Sequence, residues 1–264
     1  SIQIIAEVLG QGDSYGFNRL LHHHTSYSQI AVFPDSIQQS YTRSSYQTSG
    51  TRFITEHQLP GICIDCVKED IDSLGFPYWR RDHRYVKVCA KHNTVLLRTC
   101  PVCTKPFHGS GYGHDLIWRG CEGRHIYQCK PEKNYDDFQL LFAKIFSEIG
   151  RSSFAVSLEY VQVHIENEAE MLFSAGMISE YRLNVIKNVL HRFARITDTR
   201  INYRPDLMYS DDMIYVIAIV YGSFAGLLES VRKAGGPLRI VDELMRVEFQ
   251  DTRSYHHLHH QKTP

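Results

Sequence analysis

No cysteine occurs in the first 62 residues or the last 135; all seven lie between Cys63 and Cys129. An odd number cannot close wholly into intramolecular disulfides, and a chain of 264 residues needs no covalent staples to hold a core. Disulfide scaffolding is therefore excluded. A charge excess of either sign is also missing, because 29 Lys plus Arg face 29 Asp plus Glu. No global basic field announces a nucleic-acid binder, so any such surface must be local. Long hydrophobic runs are absent as well. The stretch from Met213 to Leu228 has 16 uncharged residues, short of the roughly 20 a membrane span requires, and two glycines interrupt it. It reads as a buried core helix, with no membrane partner. Residues 1–7 show neither a basic segment nor an apolar signal core, and the start on Ser1 fits a processed chain or a fragment. No P-loop, no Gly-x-Gly-x-x-Gly and no Ser-His-Asp order is found, so nothing points to an enzyme.

What is present divides the chain in three. Residues 1–50 hold a short helix, Ser14 to His24, with Phe17, Leu20 and Leu21 at helical spacing, then a Ser-, Gln- and Thr-rich linker from Asp35 to Gly50. Residues 51–131 are dense in Cys, His, Gly and aromatics but poor in long periodic segments, so something other than apolar burial must hold them. Residues 132–264 carry helix patterns at about Asn134 to Ile149, Ser157 to Ala175, Ser179 to Ile196, Ser210 to Ala234 and Pro237 to Phe249, followed by an aperiodic tail. The expected fold is mainly α: a small double-zinc, ribbon- or finger-like module with short strands, joined to an all-helical C-terminal domain.

The cysteines come in paired elements: Cys63 and Cys66, Cys89 and His92, Cys100 and Cys103, and a looser pair, Cys121 and Cys129. A Cys-x2-Cys turn sets two thiolates side by side, so two such turns supply the four tetrahedral ligands that zinc takes. Gaps of 22 residues between the first two elements and 17 between the last two suit a ribbon or finger. Seven cysteines plus His92 make eight ligands, enough for two zinc ions. Sequential pairing, which closes the shorter loops, gives Cys63, Cys66, Cys89 and His92 for one ion. Cys100, Cys103, Cys121 and Cys129 remain for the other, with His125 or His114 able to replace Cys129. Sites filled in this way leave no open position for water, which argues for structural zinc.

Charge is unevenly spread. Residues 51–131 hold 12 basic against 8 acidic groups, a net +4, whereas residues 1–50 are −1 and residues 132–264 are −3. Arg80, Arg81, Arg84 and Lys87 cluster beside Tyr78, Trp79 and Tyr85, a mixture suited either to phosphate contacts on an aromatic platform or to packing of a small module. In the helical part, residues 166–193 have the outline of a helix-turn-helix, whose second helix offers Asn184 and Lys187 to nucleic acid. Helix pairs joined by short turns also occur as plain packing, and the acidic first helix weighs against groove insertion.

The segment from Cys63 to Phe107 resembles the TniQ/TnsD family of transposon target-selection proteins. The resemblance rests on Cys63, Cys66, Glu69, Asp70, Gly75, Tyr78, Trp79, Arg80, His83, Cys89, His92, Leu96, Leu97, Cys100, Pro101 and Cys103. Ile64 and Ala90 stand where the family usually has proline, and the fourth ligand pair is stretched. The resemblance implies a non-enzymatic, cytoplasmic adaptor of bacterial TnsABC-type transposition. Such an adaptor binds target DNA or a guide-RNA CRISPR Cascade complex and recruits a TnsC-like AAA+ regulator and the transposase; a homodimer is compatible with it. The alternative is a zinc-ribbon, sequence-specific DNA-binding transcription regulator.

Overall fold

Apolar side chains at helical spacing give the described residues their mainly helical form, and side-chain caps close the starts of three helices. The computed structural model describes residues 8–10, 14–24, 28, 32–33, 61–78, 86–107, 115–196 and 209–246. The helices are α1 (Ser14–His24), α2 (Ile64–Leu74), α3 (Leu116–Arg119), α4 (Asp137–Arg151), α5 (Leu158–Ser174), α6 (Glu180–Ile196), α7 (Tyr209–Val220), α8 (Phe224–Lys233) and α9 (Val241–Met245). Two short strands, β1 (Phe154–Val156) and β2 (Leu238–Ile240), pair antiparallel with Phe154 opposite Ile240. The expected linker at residues 35–50 and the tail from residue 250 lie outside the described residues.

Helix α4 shows how local sequence sets an element. Asp136 caps it by accepting from the Phe138 and Gln139 amides at 2.9 and 3.1 Å, which satisfies donors that have no partner within the helix. Its inner face buries Phe142, Ala143, Ile145 and Ile149. Each large apolar side chain so buried contributes about 1.5–3 kcal/mol. Helices α5 and α6 form a hairpin about Gly176, whose φ of 72° suits a residue without a Cβ. Glu170 and Lys187 pair across it at 2.6 Å.

Three elements depart from the sequence expectation. The single helix expected from Ser210 to Ala234 is broken into α7 and α8, bent by 67°. Gly222 turns the chain at φ 70°, and Ser223 begins α8 by accepting from the Gly226 amide at 2.9 Å. Glu148 adds a carboxylate at the same helix start, accepting from Phe224 N at 2.7 Å. The helix expected from Pro237 is instead β2 followed by α9, because residues 238–240 find a strand partner in β1. In the cysteine-rich segment the reverse occurs: Cys63 and Cys66 open an 11-residue helix, α2, rather than a bare turn. Among the described residues that segment has isolated antiparallel bridges, such as Ile62 with Leu97 and Val88 with Val95, where short strands were expected. No single helix among the described residues is long and apolar enough to cross a membrane.

Helix α1 is tied to the far end of the chain. Asn18 donates to the Met245 carbonyl at 2.8 Å, Tyr15 hydrogen-bonds Asp242, and Arg246 lies 4.3 Å over the Tyr15 ring. Its Phe17 enters the same core as α4 to α9.

The buried side chains form two cores, and their division matters for the metal centres. The larger contains the helical residues together with Cys63, Cys66, Val86, Val88, Cys89 and Leu96. The smaller contains Ile62, Ile64, Val67, Cys100, Phe107, Leu116, Ile117, Cys121 and Ile126. Helix α2 serves both, with Cys66 on one side and Ile64 and Val67 on the other.

Candidate metal centres

Cys63, Cys66, Cys89 and His92 bring their ligand atoms within 4.8 Å of one another. Each pair is presented by a local turn of the backbone. Cys63 is the N-cap of α2, its sulfur accepting from the Cys66 amide at 3.4 Å, so Cys66 follows one turn later on the same side. Cys89 and His92 lie on a turn that ends at Asn93, whose φ of 53° reverses the chain. The bridges Ile62–Leu97 and Val88–Val95 hold the two turns face to face.

The His92 Nδ1 atom lies 3.4, 3.3 and 3.6 Å from the sulfurs of Cys63, Cys66 and Cys89, and the Cys66 and Cys89 sulfurs are 3.7 Å apart. A tetrahedral ion with sulfur bonds near 2.3 Å and nitrogen bonds near 2.0–2.1 Å separates its ligands by about 3.8 Å (sulfur to sulfur) and ~3.5–3.6 Å (sulfur to nitrogen). The observed spacings are those of a shell of three sulfurs and one nitrogen around an ion of this size. Three of the ligands are buried and His92 is nearly so.

Electrostatics point the same way. Hydrogen bonds from Cys66 and Cys89, joined by Thr94 at 3.3 Å, hold the Cys63 thiol far below its usual range. The bonds that Cys66 makes with Cys63 and Cys89, and then burial, push Cys66 far above it, and Cys63 likewise raises Cys89. Three desolvated thiols this close can share one negative charge, but cannot all ionise unless a cation sits among them. A divalent cation would supply that charge.

Behind the shell, His92 Nε2 is 3.1 Å from Glu69 Oε1, and Glu69 is held in turn by Lys91. A carboxylate on the far nitrogen of a metal-binding histidine fixes its tautomer and directs Nδ1 inward. Burial works against the charged form of His92, but Glu69 and Cys63 outweigh it and raise its pKa. Glu69 and Thr94 were not read as site residues. Glu69 had a signal, since it lies three residues after Cys66 and so on the same face of α2. Thr94 had none.

The second group is Cys100, Cys103 and Cys121, again within 4.8 Å of one another. Cys100 accepts from the Val102 amide at 3.4 Å, and Thr104, at φ 63°, closes that turn. Cys121 starts a two-residue hairpin through Glu122 and Gly123, with Arg124 bonding back to Cys121 at 2.8 and 2.9 Å. Burial, then Cys103 and Cys100, pushes the Cys121 thiol up to about 11. Cys129, expected as the fourth ligand, is not in this group; its thiol faces the His125 carbonyl at 3.8 Å. The 3-10 turn Ile126–Gln128 ends at Cys129, whose amide bonds back to the Ile126 carbonyl, so its thiol turns to the start of its own turn. At the position that would complete a Cys-x2-Cys turn from Cys121 the chain has Arg124. His125 instead stacks on Tyr127, and His114 lies outside the described residues.

All seven cysteines are free of disulfides. Of the residues expected to meet nucleic acid, Arg80, Arg81 and Arg84 lie outside the described residues. Lys87 and Asn184 are exposed, whereas Lys187 is engaged by Glu170, which raises its pKa. Comparison with family models, with curated proteins and with solved structures finds no match to this chain.

Proposed function

We propose that the chain is a non-enzymatic target-selection adaptor of the TniQ/TnsD kind, built on two structural zinc ions. The observation that carries the reading is the four-ligand shell of Cys63, Cys66, Cys89 and His92 with Glu69 behind it, assembled from residues in the order of the family motif. Thiolate-rich, tetrahedral and closed, such a shell suits zinc that holds a fold and offers no position to a substrate. The second ion rests on Cys100, Cys103 and Cys121, with its fourth ligand supplied from elsewhere.

In this reading the metal module presents the surface that meets target DNA or a guide-RNA Cascade complex, and the helical part presents the surface for a TnsC-like AAA+ regulator. The net charges of +4 and −3 on these parts support that division of labour. Metal analysis of the pure chain should give about two zinc equivalents. Binding assays then separate the branches. A steeply salt-dependent, sequence-specific shift, with recruitment of the regulator, marks the DNA branch; tight Cascade binding with a weak, sequence-blind shift marks the other. A zinc-loaded chain that shifts a specific DNA but recruits neither Cascade nor the regulator would instead be a transcription regulator.

A further inference from the structure

The two cysteine groups differ in access and in the core to which they belong. Cys63, Cys66 and Cys89 are 6%, 8% and 9% exposed and sit in the core shared with the helices. A cleft is lined by all three, yet it leaves each of them less than a tenth exposed. In the second group Cys100 and Cys121 are buried, whereas Cys103 is partly exposed at the edge of the smaller core. Cys100 and Cys103 also share one turn of backbone. The Thr104 amide donates to the Cys100 carbonyl at 2.9 Å, and the Val102 amide donates to the Cys100 sulfur at 3.4 Å. Residues three apart in such a turn have Cα atoms within about 7 Å, and a disulfide needs about 4.4–6.8 Å. The two sulfurs already lie within 4.8 Å of each other. An accessible thiol therefore stands one turn from a buried partner with which it can pair after little backbone movement.

We propose that Cys100 and Cys103 form a peroxide-sensitive switch, in which hydrogen peroxide joins them in a disulfide and frees the ion they hold with Cys121, while the first centre keeps its own. The Cys103 thiolate attacks one oxygen of the peroxide; a sulfur–oxygen bond forms, the oxygen–oxygen bond breaks and hydroxide leaves. The Cys100 thiolate then attacks the Cys103 sulfenic acid; a sulfur–sulfur bond forms, the sulfur–oxygen bond breaks and a second hydroxide leaves. Two thiolates lose two electrons, the peroxide gains them, and the products are one disulfide and two hydroxides. Oxidation of this kind selects an accessible thiolate with a resolving sulfur beside it. Cys103 meets both conditions, and the sulfurs of the first centre lack the access. Of the gathered sulfurs Cys121 alone then remains as a ligand, and the small core of Phe107, Leu116, Ile117 and Ile126 loses its metal clasp. The inference rests on the reading of a second zinc centre and adds the regulation of that centre.

The test treats the zinc-loaded full chain with hydrogen peroxide, follows released zinc with a chromophoric chelator and maps disulfides by peptide mass spectrometry. The untreated chain should hold about two zinc equivalents. Peroxide should release one of them, in step with a Cys100–Cys103 disulfide, while the other stays bound and the helical circular dichroism is unchanged. A dithiol reductant with added zinc should then restore both. Release of both ions together overturns the proposal, as does loss of one ion without that disulfide, or a disulfide between Cys103 and any residue other than Cys100. Two equivalents that both survive peroxide overturn the switch and leave the two-zinc reading standing. A single equivalent in the untreated chain overturns that reading, and the switch with it.

Discussion

Replacing one cysteine in each metal centre should have unequal consequences, because the two centres belong to different cores. Cys66 is 8% exposed and packs in the core that also contains Phe142, Ile145, Val161, Ile186, Ile217 and Leu227 of the helices. Structural zinc contributes about 10–16 kcal/mol of apparent binding free energy, so loss of one ligand in four removes roughly 3–4 kcal/mol. At about 2–4 °C per kcal/mol for a chain of this size, Cys66→Ser should lower the melting temperature of the helical signal by about 10 °C. Cys103 is partly exposed and lies at the edge of the smaller core, which α2 joins to the larger one. Cys103→Ser should release one metal equivalent and expose the amides of residues 100–129 to exchange, while the helical melt moves by about 1 kcal/mol or less, the scale of a local substitution. Far-ultraviolet circular dichroism melts, combined with metal analysis and hydrogen exchange, measure all of these. Equal shifts for the two variants, or a Cys66→Ser chain that melts like the wild type, would refute the assignment of the first centre to the main core.

Glu69→Gln keeps a hydrogen-bond acceptor near His92 but removes the carboxylate, so a competitive chelator should find one metal equivalent held about 10- to 100-fold more weakly. Gly120 has φ 75°, and a Cβ there would sit 2.6 Å from the Arg124 carbonyl oxygen. Gly120→Ala should therefore strain the Cys121 hairpin by about 1–3 kcal/mol and loosen the second metal selectively, an effect absent if chelation curves superimpose. Burial lowers the pKa of His22 to about 4, against about 6.5 in an unfolded chain, so its neutral form stabilises the fold fully above pH 6.5 and that contribution is lost as pH falls toward 4. The stability of wild type relative to His22→Gln at saturating zinc should fall by about 3 kcal/mol across that window, and parallel curves would contradict it.

Much of the first metal centre was legible because its ligands obey local rules. A Cys-x2-Cys/His spacing fixes two ligands on one turn whatever the surrounding fold, and the pairs at 63/66 and 89/92 do meet. The helices of α4, α5 and α6 were legible for the same reason, since apolar periodicity and caps are also local. The misreadings involve distant partners. Residues 238–240 became a strand only because residues 154–156, some 84 positions earlier, offered an edge. The bend at Gly222 was marked by a glycine, but its stabiliser, Glu148, comes from another helix. The fourth ligand of the second centre rests on ligand counting alone, with Cys129, His125 or His114 able to fill it, and Cys129 is not gathered with the other three sulfurs.

The neutral overall charge conceals the constraint that organises this fold. Three of the four ligands, the sulfurs of Cys63, Cys66 and Cys89, lie in the main core, with the partly buried His92 beside them. Unligated, that cluster favours one thiolate stabilised by its neighbours and penalises the ionisation of the rest. Filling it with a divalent cation would turn a buried polar fault into a cross-link between the two ligand turns of the cysteine-rich segment, beside the core that the segment shares with the helices. The small apolar content of that segment then ceases to be a weakness, because the metal supplies what its side chains cannot.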